Sequence, residues 1–454
     1  MTESSPYVST TNACKLCTPL GACLAFKGVA GAIPFLHGSQ GCATYMRRYL
    51  ISHFREPVDI ASSSLGEKQA VFGGGPNLKQ GLANVIHTYG PSLIGVATTC
   101  LTETIGDDVA SVVAEFRRES DPGDLLPRIV RVATPSFQGS HVEGFHAAVR
   151  ALVDQLAVAP GEMRDNTVNL LPGLVSPADL RQLRELCAVF GLEAVVLPDY
   201  ADTLDGQAGA LYTPIAPGGT PCAAIESMGG NRATLELGRT LEGRDTAAAV
   251  LAERFGVARV TVGLPVGLRE TDEFLAQLAA LAGCPVPRRL SEERGRLVDA
   301  YVDGHKYLSG KRAVVYGEED LVVGLAAFLA ETGVQPVLCA TGARSGRLEA
   351  AVQAVTADLV REPVTVAEGV DFHELAERAE PLNPELVVGS SKGYHLARRW
   401  NVPLVRVGFP IHDRFGGQRT LHVGYAGALA QYDRLVNAVL ARSQDASPVG
   451  YSYL

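Results

Sequence analysis

The chain has 454 residues, 20% of them charged and 46% hydrophobic, a balance that describes a globular protein and excludes a disordered or fibrous one. Its net charge of −9 argues against nucleic acid as the main partner, because phosphate recognition needs a basic face. The opening residues M-T-E-S-S-P-Y lack the basic and apolar regions of a secretory signal, and no uncharged apolar run reaches the roughly 18 residues that span a membrane, so a cytoplasmic location is expected.

At roughly 150 residues per domain the length predicts about three domains. Residues 1–13 read as a short polar arm. From Cys14 onward, short apolar strands alternate with amphipathic helices: apolar Val29 to Leu36, a buried strand from Leu93 to Ala97, a helix opening at Asp107-Asp108-Val109, and a strand from Ile129 to Ala133. Early carboxylates suit the positive end of a helix. Residues 158–166 form a polar break. A second unit follows, with a strand from Thr167 to Leu171 and a helix that Ser176 caps and Pro177 starts. Glu193 to Leu197 and Arg259 to Val262 read as strands, Ala247 to Phe255 and Thr271 to Leu281 as helices. A third unit begins near Lys311, with strands at Ala313–Tyr316, Gln335–Ala340 and Leu386–Gly389 and a helix from Asp320 to Glu331. This alternation predicts an α/β fold of parallel sheets flanked by helices. The expected units are 1–160, 161–308, and 309–454 with a C-terminal helix.

Nine cysteines, an odd number in a long chain of reducing-compartment type, argue against a disulfide framework. Cys187, Cys222, Cys284 and Cys339 are scattered in apolar surroundings and read as small buried hydrophobes. Cys23 lies in an apolar helical run and reads as core. Cys17, Cys42 and Cys100 differ, because each sits in a loop rich in Gly, Pro, Ser or Thr. Apolar strands run into the last two loops, and ligands in such folds sit beyond the carboxyl ends of strands. Thiolates converging from such loops select zinc, copper or an iron–sulfur centre. Cys14-x-x-Cys17 lacks the second close pair that a zinc knuckle needs, and only polar residues precede it, where a redox dithiol follows a strand. The remaining alternative is that all of these are structural thiols.

No G-x-x-x-x-G-K-[ST] loop accompanies Gly73-Gly74-Gly75, so the chain is not expected to bind ATP itself. His37, His53, His141 and His412 are candidate proton carriers, but a lone histidine is more often a surface or capping residue, and they are read as such. Arg47-Arg48 with His53 and Arg55 reads as a solvated or interface helix face.

The motifs C-T-P-L-G-A, H-G-S-Q-G-C, S-H-F-R-E-P, A-S-S-S-L-G-E-K-Q-A-V-F-G-G, T-T-C-L-T-E-T-I-G-D-D, T-P-S-F-Q-G-S-H and V-G-F-P-I-H-D-R-F-G-G-Q-R together resemble the β subunit of nitrogenase component 1 and its relatives. The resemblance covers nearly the whole chain. The cysteines match the family pattern at intervals of 25 and 58 residues. The resemblance implies three Rossmann-like domains and an α2β2 assembly with a homologous α-like subunit. It implies that Cys17, Cys42 and Cys100 hold half of an [8Fe-7S] P-cluster. Ser136 matches a redox-dependent serine ligand, Tyr45 a tyrosine near the cluster, and Phe72 a surface where an ATP-dependent [4Fe-4S] iron protein docks. Electrons would pass through this cluster to a larger Fe–S cofactor in the α-like subunit, so no catalytic residue is expected in this chain. Gly21, Gly38 and Gly41 would let backbone approach the cluster.

The molybdenum-type catalytic β subunit usually carries a long N-terminal extension and reads C-Q-P where this chain has L-C-T-P. The cofactor-assembly scaffold resembles the chain through L-P-D-Y-A-D-T-L-D-G, but commonly lacks a cysteine at the position of Cys17. This hybrid character leads to the expectation of a nitrogenase-like oxidoreductase subunit of methylthio-alkane reductase type, cleaving C–S bonds of small thioethers for sulfur salvage. The alternatives are a dinitrogenase β subunit and a non-enzymatic scaffold subunit.

Overall fold

A computed structural model describes residues 14–120, 126–159, 161–209, 211 and 213–449; the polar arm expected at 1–13 lies outside them. The first part of the chain runs α1 (Thr18–Lys27), β1 (Ala32–His37), α2 (Gln40–Phe54), β2 (Ala61–Ser62), α3 (Glu67–Phe72), α4 (Gly75–Tyr89), β3 (Leu93–Thr98), α5 (Cys100–Ile105), α6 (Val109–Glu119), β4 (Arg128–Val132) and α7 (His141–Leu156). Its strands pair in the order β2-β1-β3-β4, all parallel, with Ala32 beside Leu93 and His37 beside Thr98. Every residue of β1 and β3 is buried, as expected of a parallel sheet covered on both faces. The strand order reverses between β1 and β3, which opens a crevice beyond their carboxyl ends.

The middle of the chain runs β5 (Arg164–Leu171), α8 (Pro177–Val189), β6 (Glu193–Val196), α9 (Cys222–Glu226), β7 (Asn231–Leu237), α10 (Ala247–Phe255), β8 (Ala258–Val262), α11 (Leu268–Ala282) and α12 (Arg288–Leu308), with the parallel sheet β6-β5-β7-β8. The last part runs β9 (Arg312–Tyr316), α13 (Glu319–Glu331), β10 (Gln335–Ala340), α14 (Leu348–Thr356), β11 (Thr365–Ala367), α15 (Phe372–Ala379), β12 (Leu386–Gly389), α16 (Tyr394–Trp400), β13 (Leu404–Arg406) and α17 (Gly424–Ala446). Its parallel sheet has the order β11-β10-β9-β12-β13. The expected α/β class of parallel sheets flanked by helices is the observed one. Among the described residues no helix is long and apolar enough to cross a membrane.

Two elements had no clear signature. In α12 only Leu290, Leu297, Gly304 and Leu308 are buried, so its apolar stripe is one residue wide. Gly304 makes room there for the Tyr432 ring of α17. In β7 the buried Glu236 breaks the apolar run, and Arg259 on β8 pairs with it at 2.6 Å.

All ten residues of α1 are buried, so the helix needs no polar face. The Phe26 ring lies over Gly95 of β3, while Gly21 faces the His141 carbonyl and Gly144 of α7 faces the Thr18 carbonyl. These two glycines bring α1 and α7 together backbone to backbone. Gly21 therefore serves helix packing, not approach to a cluster. Gly38 likewise faces the Thr99 side chain, packing the ends of β1 and β3 together. Only Gly41 is open: a Cβ there would meet nothing nearer than Ser39 Oγ at 3.8 Å.

Candidate functional site

The three cysteines expected in loops sit instead at the starts of helices. Cys17 is the N-cap of α1. Cys42 lies in the first turn of α2, two residues after Gln40, and Cys100 is the first residue of α5. The reason is local: β1 and β3 end at the crevice, and Ser39 and Thr99 cap the next helices in extended conformations. Peptide dipoles at a helix start favour a negative sulfur by about 0.3–1 kcal/mol each.

Ser136 joins two of these helix starts. Its backbone N–H donates to Cys100 Sγ at 3.2 Å, and its Oγ accepts from Thr18 N–H at 3.2 Å. The loop that carries it is pinned to the end of β3, where Thr134 N–H donates to Thr98 Oγ1 at 3.0 Å and Thr134 Oγ1 donates to the Thr98 carbonyl at 2.6 Å. Ser39 Oγ lies 3.5 Å from Cys42 Sγ and donates to it. Burial pushes the Cys17 thiol up; a hydrogen bond with Ser136 opposes this, and the nearby Cys100 and Cys42 sulfurs reinforce it. Burial wins over the dipole and the hydrogen bond. Burial, Tyr49 and Cys17 in turn raise the Tyr45 phenol. The three thiols, Ser136 and Tyr45 therefore surround one region of space.

That region is at the surface. Cys17 and Cys42 are half-buried and Cys100 is exposed, while Tyr45 keeps 39% of its surface and Phe137 keeps 65%. Among the described residues, no three His, Cys, Asp or Glu side chains are placed to hold one metal ion. The soft donor set fits a centre wider than a single ion, of iron–sulfur type. A cationic centre would also offset the burial that disfavours a thiolate at Cys17.

The remaining cysteines lie elsewhere. Cys14 packs against the core of the third sheet, and burial pushes its thiol up to about 12. Cys23, Cys187, Cys222 and Cys339 are buried, and Cys284 is half-buried.

Phe72 ends α3, a helix with no buried residue, and keeps 79% of its surface; Val71 keeps 76%. This apolar platform packs on α5, the helix that begins at Cys100. Behind it, Gly74 N–H donates to both Asp107 oxygens at 3.0 Å, and His37 Nε2 meets Asp107 Oδ2 at 3.1 Å while its Nδ1 meets Ser63 Oγ at 2.9 Å. His37 is fully buried, so it is a brace at the end of β1 and not a surface histidine. His53 and His141 are buried too, whereas Arg47 and Arg48 on the same helix as His53 are exposed. The His141 contact was invisible in the sequence: Leu16 N–H donates to His141 Nδ1 at 3.3 Å across 125 positions.

A profile described as nitrogenase component 1 type oxidoreductase matches residues 17–440. The chain belongs to the nitrogenase component 1 family. Within it, a nitrogenase molybdenum-iron protein beta chain of Clostridium pasteurianum is 34% identical over 431 residues, covering 94% of this chain and 93% of that one. A beta chain of Methanothermobacter marburgensis is 36% identical, covering 93% of each. The nitrogenase iron-molybdenum cofactor biosynthesis protein NifN of Nostoc sp. is 34% identical over 419 residues, covering 92% of this chain and 90% of that one. A solved structure described as "Nitrogenase Cp1 at pH 6.5" superposes with a TM-score of 0.94 at 32% identity, covering 99% of this chain and 98% of that chain. Some beta chains are covered to 93% of their length and others to 83–84%, so the expected contrast in length separates this chain from some beta chains and not from others.

Proposed function

We propose that the chain is the β-like subunit of a nitrogenase-like reductase and holds half of a P-cluster-type [8Fe-7S] centre through Cys17, Cys42 and Cys100, with Ser136 as a redox-dependent fourth ligand and Tyr45 beside it. The observation that carries this reading is the convergence of three thiols from three helix starts on one half-exposed region, with Ser136 bonded toward two of them. Sulfur ligands left partly open to the surface call for a second body to cover them. A homologous α-like subunit fills that role in an α2β2 assembly and holds the larger Fe–S cofactor. The bound centre would supply a one-electron relay; this chain's residues hold it, exclude water around it and donate hydrogen bonds to its sulfurs.

Phe72 and Val71 form the docking platform for an ATP-dependent [4Fe-4S] iron protein. Support comes from their exposure and from the packing of α3 on α5. Electrons arriving there have a short course to Cys100.

The substrate we propose is a small thioether, cleaved reductively at its C–S bond. What supports this is the chain's similar identity to molybdenum-iron beta chains, 34–36%, and to NifN, 34%, together with a complete thiol set. A second reading, dinitrogen reduction, is favoured by the beta chains of similar length. The scaffold reading is third, since a scaffold has less need of all three thiols. The test is anaerobic turnover of the purified complex with iron protein and ATP, offered a volatile thioether and dinitrogen in parallel. Hydrocarbon and thiol without ammonia is the expected result. Ammonia makes the complex a dinitrogenase, and silence on both, with transfer of a cofactor to an apo-enzyme, makes it a scaffold.

A further inference from the structure

As the N-cap of α1, Cys17 gives the helix no side-chain hydrogen bond, and its thiol faces Ser136. The course of its backbone is therefore set by the residues on either side. Thr18, after it, donates its N–H to Ser136 Oγ at 3.2 Å. Leu16, before it, is buried and is bonded twice to His141. The Leu16 N–H donates to the ring Nδ1 at 3.3 Å, and the Leu16 carbonyl accepts from the His141 N–H at 3.0 Å. Ser136 and His141 lie on one stretch of chain, the loop that leads into α7 and the first residue of that helix. One stretch thus brackets the thiol on both sides.

The bond through the imidazole depends on which nitrogen carries the proton. Nδ1 accepts from Leu16 only while it is bare, so the ring proton belongs on Nε2. Nε2 meets Glu318 Oε1 at 3.3 Å, and a carboxylate oxygen accepts a hydrogen bond but has none to give. Glu318 comes from the third part of the chain, where it is the N-cap of α13, and it is buried. Lys392 is within charge range of it. Burial lowers the Lys392 ammonium, while Cys14, Cys17 and Glu318 act the other way, and its Nζ donates to the Lys15 carbonyl at 3.5 Å. A cation in reach favours the ionised, accepting form of a buried carboxyl. An imidazole whose second nitrogen meets a carboxylate has its tautomer and its orientation fixed.

We infer that Glu318 and His141 are positioning residues for the Cys17 thiol: Glu318 holds the Nε2–H tautomer of His141, which keeps Nδ1 open to the Leu16 N–H and fixes the backbone one residue ahead of the sulfur. The third part of the chain thereby reaches the thiol through a histidine of the first. The other half of the clamp, from the His141 N–H to the Leu16 carbonyl, is indifferent to the tautomer. Loss of Glu318 therefore loosens the segment and does not release it. The clamp on Leu16 stands whatever the thiol binds, whereas its effect on a bound centre rests on the proposed function.

The test is hydrogen–deuterium exchange at the Leu16 amide in the intact complex, beside a redox titration of its bound centre. Glu318→Leu is expected to speed Leu16 exchange about tenfold, the factor for one net hydrogen bond, and to broaden the titration, because Cys17 then takes more than one position. His141→Phe, which removes the acceptor and leaves Glu318 in place, is expected to match it. Glu318→Gln keeps an acceptor for Nε2–H and is expected to keep exchange slow. His141→Asn puts an acceptor with no tautomer in the place of Nδ1, and it is expected to restore slow exchange in the Glu318→Leu background. Exchange unchanged in both Glu318→Leu and His141→Phe overturns the clamp. Faster exchange that His141→Asn does not restore overturns the tautomer role of Glu318. Faster exchange with an unaltered titration overturns the role toward the thiol. A parent complex without iron fails the proposed function instead, and Leu16 exchange then decides the clamp by itself.

Discussion

At the ends of β1 and β3 the chain leaves the sheet through Gly38 and Thr99 and presents Cys42 and Cys100 to a half-exposed crevice. At the ends of β9 and β12, where the third sheet reverses its strand order in the same way, the crevice is closed by Tyr316. The Tyr316 hydroxyl donates to the Ser390 carbonyl and accepts from Gly393 N–H at 3.1 Å. Gly389 and Gly393 make the space that its ring fills. Each of the three sheets provides such a location, and at these two the residues placed there decide whether it is a ligand site or core. At the first, small residues and helix starts keep it open to sulfur chemistry; at the third, a buried aromatic makes it part of the framework.

That contrast can be broken by exchanging the symptoms of the two crevices. Cys42→Ala is expected to remove cluster iron and electron transfer from the complex, while the unfolding free energy changes by less than about 1 kcal/mol, as for a half-exposed side chain. Tyr316→Ala is expected to cost about 3–5 kcal/mol and to leave iron per folded complex unchanged. Iron analysis and a denaturant titration of both variants decide the matter. Unchanged iron in Cys42→Ala would sink the ligand assignment, and loss of iron in Tyr316→Ala would show that the two crevices are not independent.

A smaller effect sharpens the same comparison. Gly21→Ala drives a methyl group onto the His141 carbonyl, and overpacking of this kind costs about 1–3 kcal/mol. Because α1 carries Cys17 at its start, we expect stability and iron affinity to fall together. Gly90→Ala, at a left-handed helix end with open space around it, is the control: it loses about 1 kcal/mol to backbone strain and no iron. Iron loss in the control, or full iron in Gly21→Ala, breaks the link between helix packing and the site.

The sequence showed the class of the fold and the cluster of thiols, but not how the thiols are held. Buried strands such as Leu93–Thr98 announced themselves by continuous apolar composition, and Ser176-Pro177 by capping chemistry that the structure repeats, with Ser176 Oγ accepting from Asp179 N–H at 3.0 Å. Cys42 and Cys100 looked like loop residues because Gly, Ser and Thr surround them. Those same residues are what a helix start between a strand and its crossover requires. Contacts between distant positions left no local trace: His141 with Leu16 and Glu318, or Gly21 with Gly144, depend on which helices the topology brings together. His37, His53 and His141 were misplaced for a related reason, whereas His412 is exposed as expected. A single imidazole in a helix has no periodicity that separates a core position from a surface one.

His53 supplies the smallest and most conditional test, because it belongs to neither crevice but to the junction between them. Burial lowers its ring to about 3, and the bond from Ile411 N–H, which needs an unprotonated Nδ1, favours the same neutral form. An unfolded histidine titrates near 6.5. Between about 6.5 and 3, therefore, the unfolded chain takes up a proton that the folded chain refuses, and folding stability falls as pH falls through that window. His146, lowered to about 4 mainly by burial, acts in the same direction. Above about 6.5 both contributions are complete and flat. At pH 5 the His53 share is on the order of 2 kcal/mol. His53→Gln keeps an acceptor for Ile411 N–H and removes the titrating ring, so the difference in denaturant midpoint between parent and variant should shrink or reverse in the variant's favour between pH 7 and pH 5. Parallel curves over that range would mean that His53 already carries its proton in the folded chain, and the tautomer assigned at the junction would have to be exchanged for the charged ring.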